Sequence, residues 1–327
     1  MIRDARMLAA MAIAFAGLVV AARPAPAALS YQQFTSFSFG GGDDAPVWSH
    51  DGSAVYYSSR ATGNPYVFRK TLGSPMNSTG TRLTGWTFDE YQACISADDQ
   101  WVVLCVGDSL SSRHLFRCPS AGGPPLTQVT YGPFYDIEPD WAASGLVAFS
   151  SNRGGAGFQI WTVMPNGTLP AEAYTQVTDA GHNDYNPSFS PDGQKIVFAS
   201  DRAGTTQLYV VTWNGSTWGP PVPLTAGGGA KSCPDWAADG QHIAYEVATG
   251  GGGGGGTEIW MSDENGLNAR LVTSGGSYDA RPSWASDGNR LAFVSDRSGS
   301  KYIWLADGLY TPAVNDTWGR IKAQYRR

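Results

Sequence analysis

The chain has 327 residues, 42% hydrophobic and only 15% charged, with a formal net charge of −6. That balance excludes a disordered chain. It also excludes a nucleic-acid or anionic-membrane surface, each of which needs clustered Lys and Arg.

Residues 1–28 read as an export signal. Arg3 and Arg6 form a basic start, Met7 to Ala22 an apolar run, and Ala25-Pro26-Ala27 a small-residue cleavage site. The run is too short for a spanning helix, and no Cys follows it to carry a lipid. The expectation is a secreted or periplasmic protein without membrane insertion. Without this segment, 19 basic residues stand against 27 acidic ones, a net of −8.

One frame then returns six times. Its cleanest copy is Pro187-Ser188-Phe189-Ser190-Pro191-Asp192-Gly193, followed by Ile196-Val197-Phe198-Ala199-Ser200-Asp201-Arg202. It starts at Pro46, Ala93, Pro139, Pro187, Pro234 and Pro282, at spacings of 47, 46, 48, 47 and 48. A period of roughly 40–50 residues made of short strands marks a β-propeller. The prediction is an all-β, six-bladed β-propeller of four-stranded blades over 29–308, with blades starting near 45, 92, 138, 186, 233 and 281.

Within each repeat, strand A carries an aromatic: Trp48, Trp141, Phe189, Trp236 and Trp284, with Ile95 in the second blade. Large rings at a fixed place suit packing between neighbouring blades. An Asp-Gly hairpin turn follows at Asp51-Gly52, Asp192-Gly193, Asp239-Gly240 and Asp287-Gly288. Asp98-Asp99 and Ser144-Gly145 replace it in blades two and three. Strand C repeats Phe68, Phe116, Trp161, Tyr209, Trp260 and Trp304, and strand D is a Leu/Val-Thr segment. The sixth repeat lacks that segment. Residues 30–39 can supply it, so the N-terminal strand is predicted to complete the last blade and cover its open edge.

Gly250 to Gly256 lack the Lys-Ser/Thr of a phosphate loop and read as a flexible surface loop. In the 309–327 tail, Trp318, Ile321 and Tyr325 share one helical face, and Arg320, Lys322, Arg326 and Arg327 are basic. A short helix packed on the propeller is expected. Cys94, Cys105 and Cys118 fall in one repeat and Cys233 in another, so at most one disulfide is possible and free thiols fit equally. His50, His114, His182 and His242 occupy different repeat positions, which argues against a shared metal.

One polar position does recur. Three residues before each frame stand Asp43, Glu90, Asp136, Asp184, Lys231 and Asp279. Entering the innermost strands, they are expected to ring one mouth of the channel as the ligand-binding site. Gathered carboxylates raise one another's pKa unless a cation or partner neutralises them. The bland alternative is that each accepts backbone N–H groups within the fold.

The Pro-x-Trp/Phe-Ser-x-Asp-Gly frame, with Ser-Asp-Arg at 200–202 and 295–297, resembles the TolB-type six-bladed propeller repeat over 45–308. Ser59-Arg60 and Ser151-Asn152-Arg153 are looser copies. The resemblance implies three kinds of relative. TolB itself sets its propeller beside an N-terminal α/β domain and binds a peptidoglycan-associated lipoprotein. Here the repeats begin soon after the signal, so a propeller-only form is expected. Prolyl-oligopeptidase-like enzymes add a hydrolase domain with a Gly-x-Ser-x-Gly elbow, which is absent. Oligogalacturonate lyases use a His-rich metal site. The expected function is a non-catalytic, cofactor-free, monomeric scaffold that binds a protein or peptide with a basic segment at the channel mouth. The alternatives are a carbohydrate- or peptide-acting enzyme, or a Ca²⁺ or other divalent-cation site, on the same carboxylates.

Overall fold

The computed structural model describes residues 29–36, 42–108, 112–165, 174–250 and 256–309. Its strands form six antiparallel four-stranded sheets, and each innermost strand touches its two neighbours around a ring. The predicted six-bladed propeller is the observed fold, and the described residues contain no helix. The predicted signal segment, the 310–327 tail, residues 37–39 of the predicted closing strand and most of the glycine run lie outside the described residues.

The innermost strands are Asp43–Trp48, Asp89–Ile95, Asp136–Trp141, Asp184–Phe189, Lys231–Trp236 and Asp279–Trp284. In every blade the ladder from this strand to the second slips once, as between Asp44 and Val47 or Ile137 and Asp140. The slip is a β-bulge at the frame start, which is a proline in every blade but the second, where it is Ala93. Pro has no N–H for the ladder, and a bulge is where a strand tolerates it. The residue before the proline is left-handed in five blades: Ala45, Glu138, Asn186, Cys233 and Arg281, with φ between 46° and 56°. Each such residue costs on the order of 1–2 kcal/mol, which the packing on either side offsets.

The Ser-x-Asp-Gly turn closes on itself. Ser49 Oγ donates to Asp51 Oδ1 at 2.7 Å, and the same oxygen accepts the Ser53 N–H at 2.8 Å. Ser96–Asp98 and Ser190–Asp192 repeat the first bond at 2.6 and 2.5 Å. In blade two Asp99 takes the glycine's place at φ 57°, and its carboxylate accepts the N–H groups of His50 and Asp51 at 2.6 and 2.8 Å. The odd turn residue thus ties two blades together.

The strand A aromatics pack on the preceding blade. Trp48 meets Ala285, Ala292 and Ile303; Trp284 meets Ala237, Ile259 and Met261; Trp236 meets Val197 and Leu208. Each ring is almost fully buried, a contribution of about 2–3 kcal/mol apiece.

The N-terminal strand completes the last blade. Ser30–Gln33 pairs with Tyr302–Asp307, setting Gln33 opposite Trp304. Gln176 sits opposite Trp161 in the same way, and Leu271 opposite Trp260. Phe34-Thr35 then repeats the Leu/Val-Thr pattern. Phe34 N and Thr35 N both donate to Ile303 O, at 2.8 and 3.2 Å, and Ile303 N donates to Thr35 Oγ1 at 2.9 Å. In blade five, Val272 and Thr273 make the same pair of bonds to Ile259 O at 2.8 and 3.2 Å. Buried Lys70 of blade one locks the seam, its Nζ donating to the carbonyls of Phe34, Met76 and Ser78 at 2.8, 3.0 and 3.1 Å.

Candidate functional site

The six recurring polar residues lie one per blade at the starts of the innermost strands. The five acids are buried, at 0–1% exposure, and neither end of the central lumen is lined by any of the six. Four of the acids find hydrogen-bond partners within their own blade, and Glu90 finds its partners in blade one. Asp43 accepts the Ser59 hydroxyl at 2.5 Å, and Asp136 accepts that of Ser151 at 2.6 Å and Arg153 Nη2 at 2.7 Å. Arg202 Nη2 reaches both oxygens of Asp184 at 3.0 and 2.9 Å, and Arg297 Nη2 reaches Asp279 at 2.9 Å. Each of these arginines also donates through Nε to the serine of its own Ser-Asp/Asn-Arg segment. Glu90 accepts the Val67 N–H at 3.1 Å and the Thr84 hydroxyl.

Electrostatics follow from these partners. Burial raises Asp43 to about 6, against Ser59, Thr35 and Lys70. Burial would raise Asp136 as well, but His114, Arg153 and Ser151 outweigh it and hold the carboxyl below its usual range. Lys231 stands apart. Its Nζ donates to Gln207 Oε1 at 3.1 Å and to the carbonyls of Gly227 and Gly229, and burial lowers its pKa. Among the described residues no ion pair links it to Asp184 or Asp279.

The Ser-Asp-Arg segment therefore holds the acid that opens its own blade. Arg202→Met should strand the buried Asp184 carboxylate and cost about 3–5 kcal/mol in a urea melt. A loss below 1 kcal/mol would show that the pair carries no such weight.

The lumen belongs to other residues. Two cavities, of about 110 and 120 Å³, share a waist of Val47, Cys94, Asp140, Ser188, Asp235 and Ser283. These residues stand one place after each frame start. Four of them reach across to the next blade. Asp140 accepts the Phe189 N–H at 2.7 Å, Ser188 that of Trp236 at 3.0 Å, Asp235 that of Trp284 at 2.6 Å and Ser283 that of Trp48 at 3.3 Å. Burial raises Asp140 to about 6. Burial, with the nearby Asp140 charge, raises Asp235 to about 8.

At the mouth where the innermost strands begin, the bulged residues line the wall: Ala45, Gln92, Glu138, Asn186, Cys233 and Arg281. Arg281 is the cation among them. Its Nε lies 3.1 Å from Asp44, and its backbone N–H donates to Glu246 at 3.2 Å. Glu246 accepts the Ser232 hydroxyl at 2.6 Å, and Glu138 accepts the Asn186 N–H at 2.9 Å. Burial would lower the Arg281 pKa, but Cys233, Asp44, Glu138 and Glu246 outweigh it. Spacing alone did not single out Asp44, Glu138, Glu246, Arg281, Asp140 or Asp235. The usable signal was their unlikeness at positions that repeat.

Each histidine sits by a separate aspartate: His50 by Asp99, His114 by Asp136, His182 by Asp201 and His242 by Asp239. The four cysteines are free thiols, and burial pushes Cys105 and Cys118 up to about 12, where they are unreactive. Among the described residues no three His, Cys, Asp or Glu side chains gather as a metal cluster.

The family model of the TolB beta propeller domain matches residues 168–254. The Tol-Pal system protein TolB of Francisella tularensis is 24% identical over 61% of this chain and 44% of its own length. An uncharacterised protein of Agrobacterium fabrum is 29% identical over 36% of this chain and 42% of its own. The chain thus spans less than half the length of these curated relatives. Among solved structures, TolB from Acinetobacter baumannii superposes with TM-score 0.59 at 18% identity, covering 75% of this chain and 57% of that one. A gluconolactonase from Xanthomonas campestris superposes with TM-score 0.63 at 15% identity, covering 85% and 89%. A TolB and a gluconolactonase share this fold, so the fold alone does not select a function; the chain is a six-bladed β-propeller in which residues 168–254 match the TolB beta propeller domain.

Proposed function

We propose that this propeller is an exported, monomeric binding module that takes a protein or peptide segment with a basic side chain at its channel mouth. The observation that carries this reading is the mouth itself. Asp44, Glu138 and Glu246 stand around a single cation, Arg281. Their surplus negative charge favours a cationic group and repels an anionic one. The signal-like residues 1–28 and the TolB resemblance support a cell-envelope or extracellular partner. In this reading the six ring positions, five of them buried acids, hold the blades in place, and the binding groups are those of the mouth.

The test is titration of an end-blocked lysine-rich peptide into the mature protein, beside the Glu138→Gln/Glu246→Gln double variant. Binding should weaken at least tenfold in the variant and fall with salt, with the thermal melt held close to that of the parent. Equal affinity for both proteins, or a preference for an acidic peptide, would overturn the assignment.

A second reading rests on Asp140 and Asp235. Two carboxylates whose surroundings set them at about 6 and about 8 have the protonation split used by acid–base pairs. Turnover of a sugar or peptide substrate, abolished by Asp140→Asn, would favour an enzyme.

A further inference from the structure

The mouth is flanked by two unlike half-circles. The loops joining blades one to two and two to three run inward from an outer strand to the mouth and carry aromatics. Phe88 is 54% and Tyr131 44% exposed. Trp86 supports Phe88 edge-on at 5.9 Å between ring centroids and packs on Phe116 at 5.1 Å. Directly across the ring, the loops joining blades four to five and five to six are built on Gly227-Gly228-Gly229 and Gly275-Gly276. The second of them ends in Tyr278, which is half-buried and covered by Lys301 Nζ at 3.7 Å from the ring centroid, so these loops present no large exposed ring.

Phe88 thus rests on a half-buried ring, and the Tyr131 hydroxyl donates to Gln128 O at 3.1 Å; rings held in this way lose little entropy on contact, which is why aromatics anchor interfaces. The cations on this side are largely engaged. Arg113 lies over the Tyr91 ring at 4.2 Å and Arg82 over Tyr66 at 3.2 Å, with Arg60 the exposed one near Tyr91. The carboxylate on the first loop, Asp89, already accepts the Tyr91 hydroxyl at 3.0 Å. What remains is an apolar surface beside an acidic mouth, not the hydrogen-bonding set of a sugar site.

We propose that Phe88 and Tyr131 form a one-sided platform for an extended polypeptide of the partner. An apolar side chain of that segment lies on the aromatic half-circle while a basic neighbour reaches the mouth carboxylates. The inference rests on the proposed binding of a basic segment and adds its direction and its apolar anchor.

The test uses two end-blocked hexapeptides of equal charge, four lysines flanking either a Trp-Leu or a Gly-Gly pair, with cellohexaose as a third probe. The Trp-Leu peptide should bind at least tenfold tighter. Phe88→Ser/Tyr131→Ser should erase that preference, leave Gly-Gly binding unchanged and keep the parent melting temperature, since both rings are exposed. A preference that survives in the variant overturns the platform, as does cellohexaose binding that the variant loses without any peptide preference. Platform-dependent Trp-Leu binding that ignores Glu138→Gln/Glu246→Gln would keep the platform and refute the mouth reading. Failure of both peptides refutes both.

Discussion

Replacing Asp235 with Asn should raise the melting temperature at pH 8 by roughly 5–10 °C and change little at pH 4. The carboxyl is raised in the folded protein to about 8, by burial and by Asp140 beside it, whereas an unfolded aspartate titrates near 3.9. Between those values the native state keeps a proton that the unfolded chain releases. Stability from this group is therefore full below about pH 4, declines as pH rises and levels off above about 8. Asp140, raised to about 6, adds a similar decline over a narrower window. Asp235 borders the lumen cavities and is partly open to them, which screens part of the cost, so the penalty at pH 8 is on the order of 2–4 kcal/mol rather than the full linkage value. Asn keeps the acceptor for the Trp284 N–H and removes the charge. Thermal melts of both proteins from pH 4 to 9 check this. A gap independent of pH would mean that packing, not ionisation, sets the difference.

Removing residues 29–36 should cost on the order of 5 kcal/mol and lower the melting temperature by about 10–20 °C. The deletion discards buried Phe34, the two Thr35 bonds to Ile303 and the pairing along Tyr302–Asp307. It also leaves Lys70 without one of its carbonyls and exposes a strand edge. Lys70→Met is the subtler probe. It orphans the buried Phe34 carbonyl and two part-buried ones without touching the strand, and should cost about 1–3 kcal/mol. Calorimetry of the three proteins measures both losses. A deletion that melts with the parent would show that the ring holds without its last strand.

The fold was legible because its causes lie close together in the chain. A proline, an aromatic two places on and a self-closing Ser-x-Asp-Gly turn recur at one spacing, and each is a local instruction. Even the closing strand could be anticipated, since Phe34-Thr35 copies Val272-Thr273 in sequence before it copies it in hydrogen bonds. The site was harder to read. Spacing put Asp43, Glu90, Asp136, Asp184, Lys231 and Asp279 at equivalent places, but a bulge between them and the frame proline reverses which face each later residue presents. A bulge adds one residue to its strand, but every repeat carries it, so the spacing between copies does not reveal it.

One trace of the outcome was present in the sequence. Asp43, Asp136, Asp184 and Asp279 each have a serine opposite on the second strand, whereas Lys231 faces Val247. Aspartate and serine come and go together within this one chain, since Glu90 faces Val106 just as Lys231 faces a valine. Asp140 and Asp235 gave less warning, since an aspartate in Pro-Asp-Trp reads as one more polar residue until the neighbouring blade is in place.

The seam between first and last blades also sets how the chain must fold. Thr35 meets Ile303 across 268 residues, and closing a loop of that length costs about 5 kcal/mol of chain entropy before any seam contact forms. Blades one to five can assemble from short-range hairpins as they emerge, but the ring cannot close until the sixth exists. Such long-range pairing slows folding. Until it occurs, the chain carries two unpaired strand edges able to join those of another molecule. Under the proposed export, a chain that crossed a membrane unfolded would meet that danger only once, with all six blades present.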